Sequence, residues 1–359
     1  MNNQLLHLLT ALLLLTASNA HAFTGLGVGS TAEPYQIATA EQLDEVRAEP
    51  SAHYILMNDI DLGSVANWLP IPNFYGTLDG NNHTITNMKI DGHGYNLGLF
   101  GAIDSGAEVR HLGIVDCSIT GTGSHVGGLA GRNSGSIINS YATGTIDGGG
   151  NVGGLVGHNR GSITNGFSTG TIGGSNRAGG LVGYNDDHAS ITNSSSTGAV
   201  SGTGNIGGLA GTNSTSATIS TSYATGAITG VSYLGGLVGE NYGSIANSYA
   251  TGGVRGTGSY VGGLVGSNDG SITTSYATGA ARGTTSESGR LVGYNFGSIT
   301  GSYADNDADA SGNLSNLLLS ALPEGWDALI WSTTTDEYPK LMQVAGDADI
   351  SIKYSPQSK

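Results

Sequence analysis

The chain holds a single cysteine, Cys117, so no disulfide can form within it. A lone thiol of this kind is expected to serve as a small packing residue. Charge is scarce too: only 11% of residues are Asp, Glu, Lys or Arg, roughly half the usual share. Basic residues are the scarcest, 12 against 27 acidic ones, for a net charge of −15. That balance excludes a nucleic-acid partner, whose phosphates need cationic contacts, and argues against an anionic membrane surface. Beyond Ala22 no long apolar run occurs, so no membrane insertion of the mature chain is expected. The histidines are thinly spread and none has zinc-ligand spacing.

What is present in excess is glycine, 62 residues in 359, more than double the usual share. The first residues, "MNNQLLHLLTALLLLTASNAHAF", read as a secretory leader: an apolar run from Leu5 to Ala17 precedes the Ala20-His21-Ala22 cleavage pattern. Its opening lacks the usual Lys or Arg. The expected location is therefore periplasmic, extracellular or at the cell surface.

The glycines are periodic. A Gly-Gly-Leu core begins at Gly127, Gly153, Gly179, Gly207, Gly235 and Gly262, with a worn copy at Gly289, where Arg290 replaces the second glycine. The intervals are 26, 26, 28, 28, 27 and 27 residues. "NLGLFG" (Asn96 to Gly101) is an earlier, divergent copy. Each unit carries two strand-like runs, the second long enough to bend into two. A unit this short cannot bury its apolar face alone, so the units must stack coil on coil. The expected fold is all-β: a right-handed parallel β-helix of about eight coils. Within "SYATGTI" segments, alternation puts Ile137, Ser140, Ala142 and Ile146 inside and Tyr141 and Thr143 outside. One slot is always Asn: Asn133, Asn159, Asn185, Asn213, Asn241, Asn268 and Asn295. Stacking should align them as an amide ladder. The glycines are expected to turn the corners, through positive φ and close backbone approach. A phosphate-binding loop is excluded, because β-like runs follow each copy and no G-K-(S/T) is present.

The repeated "GGLVGxNxGSITxSYATG" resembles proteins carrying the GLUG motif. The flanks "YQIATAEQLDEV", "FYGTLDGNNHTITNMKI" and "LPEGWDALIWSTTTDEYPKL" resemble the segments around such repeats. The resemblance implies a bacterial secreted or surface β-helix of the haemagglutinin-like adhesin kind, or the non-catalytic part of an immunoglobulin A protease. The zinc-protease motif H-E-x-x-H is absent, so protease activity does not carry over.

The chain divides into a leader (1–22), a capping and lead-in segment (23–95), the repeats (96–304) and a C-terminal cap and tail (305–359). Thr39 should N-cap a short helix with Gln42 completing the capping box, and Leu43 and Val46 facing the first coil. Trp326, Trp331, Tyr338 and Pro339 should plug the other end.

Candidate functional residues are sparse. The outward row Tyr141, Phe167, Tyr223, Tyr249, Tyr276 and Tyr303, broken at Ser195, is the leading ligand-binding candidate. A column of Thr143, Thr169, Thr197, Thr225, Thr251 and Thr278 flanks it. Such a face suits sugar rings or a partner's apolar groups, although aromatic and Thr ladders also stabilise the stack itself. Asp186, Asp187 and His188 sit in a two-residue insertion beside a second insertion in the next coil, and read as a solvated loop rather than an acid–base cluster. Asp305, Asp307 and Asp309 alternate as at the start of a calcium loop, but its sixth-position Gly and twelfth-position Glu are missing, so Ca2+ is the weak candidate and no cofactor is expected. The lead-in segment is richer in acid–base groups: Asp59, Asp61, Asp79, His83, Asp91 and His93.

The first expectation is thus a non-enzymatic binding or adhesion protein for a glycan or a host or neighbouring cell-surface protein. A polysaccharide lyase or hydrolase is the alternative, by fold analogy. An ice-binding face ranks lower, since only Thr143/Thr145 and Thr169/Thr171 make T-x-T pairs.

Overall fold

A computed structural model describes residues 23–285, 287–304, 325–332 and 340–341. The expected leader, the Asp305–Asp309 run, Tyr338 and Pro339 lie outside the described residues.

One coil shows how the sequence folds. From Asn151 the chain makes five short strands, Asn151–Gly153, Val156–Asn159, Ser162–Thr164, Phe167–Ser168 and Thr171–Gly174. Each pairs in parallel with its counterpart one coil on: Val152 with Ala178, Asn159 with Asn185, Ile163 with Ile191, Phe167 with Ser195, Ile172 with Val200. The result is a parallel β-solenoid. The sheet through the Val156–Asn159 strand has nine strands, from Ile71–Phe74 to Val292–Asn295, giving about nine coils. The extra coil comes from the lead-in segment. The sheet through Ser162–Thr164 reaches back further, to Tyr35–Ile37 and His53–Leu56. The long "SYATGTI" run stays a single strand only early on, as Gly113–Gly121 and Tyr141–Gly148; later coils split it in two.

Apolar side chains fill the bore: Val152, Leu155, Val156, Ile163 and Ile172 are all fully buried. The always-small slot (Ala142, Ser168, Ser196, Ala224) is interior as expected. Its smallness has a specific cause. A Cβ on Gly128 would lie 2.8 Å from the Ala142 methyl, and one on Gly154 would land on Ser168 Oγ and Gly180 O. Here the bore is one side chain too narrow for anything larger.

One sequence expectation narrows and one changes. Of the two causes expected for the repeat glycines, positive φ is found at few of them, such as Gly144 and Gly301. Gly153, Gly154 and Gly157 adopt ordinary backbone angles, and close backbone approach is what requires them. Positive φ falls instead on a second column, Asn139, Asn165, Asn193, Thr221, Asn247 and Thr274. Asn tolerates that region because its short amide bonds locally. Thr143 is also not outside: it is buried, and its Oγ1 accepts from the Asp116 N–H at 3.0 Å. The cause is an irregularity in the neighbouring coil, where the register shifts between Ile114 and Cys117. Cys117 itself packs in the core, and burial pushes its thiol up to about 12.

The amide ladder forms as expected. Nδ2 of each Asn donates to Oδ1 of the next, unbroken from Asn133 to Asn295, at 2.7–2.9 Å. At the first coil the helix Ala40–Glu45 closes the bore with Leu43 and Val46 fully buried. Gln42 N–H donates to Thr39 Oγ1 at 3.2 Å, while Gln42 Oε1 accepts from Ala38 N–H, one residue before the cap.

Candidate functional site

With the bore filled by side chains, chemistry is displayed on the outer rows. The expected aromatic row exists: Tyr141, Phe167, Ser195, Tyr223, Tyr249, Tyr276 and Tyr303 pair in register. Tyr223 stacks on Tyr249 at 4.9 Å and Tyr249 on Tyr276 at 5.0 Å, with ring planes nearly parallel. The row is not all exposed, however. Trp326 and Trp331 lie against its C-terminal half, with Trp326 6.1 Å from both Tyr276 and Tyr303, and Trp331 5.8 Å from Tyr276. Tyr276 is only 1% exposed as a result. Burial raises the Tyr249 phenol above its usual range. The tryptophans, expected as an end plug, therefore cover a flank; Trp326 Nε1–H donates to Gly301 O at 3.0 Å. At the other end Tyr141 lies flat over Gly113, whose Cβ would meet the ring at 2.5 Å. Phe167 and Tyr223, on either side of Ser195, stay half-buried.

A second outer face was not singled out in the sequence. It is built from the residue that opens the first strand of each coil and the third residue of the second strand. In register, the latter run Arg132, His158, Tyr184, Thr212, Glu240, Ser267, Tyr294. The former include His125, Asn151, Arg177 and Asn205. The two rows interleave. His125 and His158 rings are 4.8 Å apart, His158 and Tyr184 5.2 Å, and the Arg177 guanidinium sits 4.8 Å over Tyr184. Further along, Tyr233, Tyr260 and Tyr294 follow at 4.8 and 5.0 Å, and Phe296 closes on Tyr294 at 4.6 Å. These slots vary from copy to copy, so they read as noise in the sequence; only the register turns them into rows.

The electrostatics of this face are local. Burial, then the positive charges of His158, Arg132 and Arg160, holds His125 down to about 4. Burial also lowers His158, against the pull of Asp186. Burial opposes ionisation of Asp186, yet the Asp187 N–H, His158 and Arg160 together hold its carboxyl below the usual range. Burial raises Glu240, which bonds Asn205 and Tyr242.

The Asp186–Asp187–His188 trio does not assemble. Asp186 pairs with His158 Nε2 at 3.0 Å and Arg160 Nε at 2.9 Å. Asp187 accepts from Ser214 Oγ at 2.6 Å, which does bring the two insertions side by side. His188 is exposed at positive φ. The lead-in carboxylates fix turns between coils: Asp59 on Thr84 N–H, Asp61 on Asn87 and Gly63 N–H, Asp79 on Arg110 and His111. Among the described residues no group of three or more His, Cys, Asp or Glu is placed to hold a metal ion. No helix among them is long and apolar enough to cross a membrane.

The chain is similar to several known proteins. The family model described as the GLUG motif matches residues 122–147, 174–201, 230–255 and 257–281. Halomucin of Haloquadratum walsbyi is 35% identical over 139 residues, 34% of this chain. A protein described as a Gly-rich membrane protein of Evansella cellulosilytica is 36% identical over 136 residues, again 34% of this chain. The matches span only 2% and 16% of those relatives' own lengths. Among solved structures, a protein described as an immunoglobulin A1 protease of Bacteroides ovatus superposes with a TM-score of 0.49 at 22% identity, over 88% of this chain and 94% of that one. An IgA1 protease gives 0.45 at 19% identity, over 74% of this chain and 21% of that one.

Proposed function

We propose that this GLUG-motif repeat protein is a binding module that presents the interleaved outer face of its first two strand rows to saccharides at a cell surface. One observation carries the reading. Rings and hydrogen-bonding side chains line up at coil spacing, on a backbone held rigid by pairing on both sides. Aromatic faces pack against the apolar faces of sugar rings, and the half-buried Asn205 amide and Glu240 carboxylate among them suit sugar hydroxyls, whereas Asn151, Thr212 and Ser267 are buried. A stiff row loses little entropy when a chain-like ligand lies along it. The relatives' names, a halomucin and a membrane protein, support a surface setting, and the expected leader supports export. The net charge of −15 favours uncharged saccharides over polyanions.

The test is a glycan array run beside a polysaccharide-cleavage screen, using the exported chain. Retention on saccharide without release of oligosaccharides is expected. A Tyr233→Ala/Tyr260→Ala double variant should bind about tenfold more weakly without loss of fold. Absence of saccharide binding in every format would remove the proposal. Release of oligosaccharides would favour the lyase or hydrolase reading instead.

A further inference from the structure

The interleaved face ends, at the N-terminal side, in a groove of about 520 Å³ between the turn around Leu69 and the turn around Tyr95. We propose that this groove is a discrete subsite for one or two units of an uncharged saccharide. The inference rests on the saccharide-binding reading above and names where on the rod the tightest contact lies.

Three features of the groove point to a sugar. Its walls are apolar and uncovered: Leu69 is 67% exposed and Tyr95 76% exposed. A large aromatic and a large aliphatic side chain facing one recess are costly to leave in water together. Its floor is bare. A Cβ on Gly94 would meet nothing nearer than Leu97 Cδ2 at 4.0 Å, so glycine there leaves room that the backbone does not need. Its polar groups are unspent. Asn67 bonds both the N–H and the C=O of Asp91, at 2.8 and 3.1 Å, fixing that residue through its backbone. The Asp91 carboxylate and the Asn73 amide have no hydrogen-bond or ionic partner among the described residues. An exposed carboxylate on a residue whose backbone is anchored, and an exposed amide, beside a ring are groups that recognise sugar hydroxyls.

The base is rigid before any ligand arrives. Trp68 is only 3% exposed, its Nε1–H donates to Leu99 O at 3.1 Å, and Arg47 lies 5.7 Å over its ring. Charge decides the class of saccharide. No basic side chain lines the groove, and Arg47 is spent on Asp44 and the Leu69 carbonyl behind it. A lone carboxylate in a chain of net charge −15 repels uronic or sulfated sugars. A volume of this size lies within the range of small-ligand pockets, at roughly 300–1,000 Å³.

The experiment is saturation-transfer NMR and calorimetric titration of the full chain. The probes are neutral tetrasaccharides (cello-, malto-, manno- and chitotetraose), with tetragalacturonate as the acidic comparison. At least one neutral tetrasaccharide is expected to bind, and tetragalacturonate is not. Tyr95→Ala and Asp91→Ala should each weaken that binding about tenfold, and Leu26→Ala, at a side chain 72% exposed and outside both the groove and the interleaved rows, should leave it unchanged. Both groove positions are on the surface, so folding is not at stake. Binding that survives Tyr95→Ala and Asp91→Ala but fails in the Tyr233/Tyr260 variant would overturn the subsite and leave the saccharide-binding reading standing. Preference for tetragalacturonate would overturn the charge argument and the subsite with it. No saccharide binding by any form of the chain would overturn both.

Discussion

Glycine and asparagine divide the work of shaping each coil, and only part of that division can be read from residue types. The Asn133–Asn295 ladder was legible, because one invariant amide per unit has few other uses in a stack. The second column, Asn139, Asn165 and Asn193, was not singled out, because Thr221 and Thr274 occupy the same slot and hide it. For glycine, composition says only that a side chain is absent; it does not say whether angle or space demands this. The structure answers space for Gly154, whose Cβ would land on the Gly180 carbonyl as well as Ser168. A backbone atom cannot rotate away. Gly154→Ala is therefore expected to destabilise the chain by about 1–3 kcal/mol or more, the usual cost of overpacking. Gly94→Ala, made in open space at ordinary φ, should cost little or be neutral. Urea unfolding of the two variants checks this; equal midpoints would refute the close-approach account.

At the level of elements, the sequence announced strands but not their number. Five two- to four-residue strands per coil look like two longer ones when read linearly, because the corners between them in the coil from Asn151 are only two residues long. The stacking rows were legible wherever a slot repeats, as in the Tyr141 row, and illegible where it varies, as in the Arg132–Tyr294 row. What no local pattern could show is that a later segment doubles back onto the flank. The strand Trp331–Ser332 pairs antiparallel with Lys340–Leu341, and its tryptophan meets Tyr249 and Tyr276 from outside. Among the described residues the contacts of this cover with the rod are led by the Trp326 and Trp331 rings, with Trp326 Nε1–H on Gly301 O. Trp331→Ala is accordingly expected to uncover Tyr276 while changing the unfolding midpoint of the solenoid much less than a core Trp truncation, typically about 3–5 kcal/mol. Iodination followed by mass spectrometry should find Tyr276 protected in the parent and modified in the variant. Continued protection would mean that Trp326 alone suffices, or that the cover is held elsewhere.

The whole molecule is a one-dimensional stack, and its tolerance should follow from that. Each coil touches its two neighbours, so stability is close to a sum of coil and interface contributions. Coils of 26 and 28 residues already coexist, because the extra pair is absorbed in the turn after the ladder Asn, where Asp187 meets Ser214. Register, not length, is what must be kept. Removing residues 153–178 joins Val152 to Gly179, whose partners across the deleted coil are Ala178 and Gly153. Every ladder then closes again one coil shorter. That deletion is expected to give a folded rod, shorter by about 4.8 Å, with β-sheet circular dichroism retained and a groove at Tyr95 that still binds as before. Removing only the first half of the same stretch would set each strand against the wrong partner and turn core positions outward, so no folded product is expected. Small-angle scattering and thermal unfolding separate the two outcomes. If the full-coil deletion failed to fold while single-residue changes in the same coil were tolerated, the coils could not be the independent units that the stacked register implies.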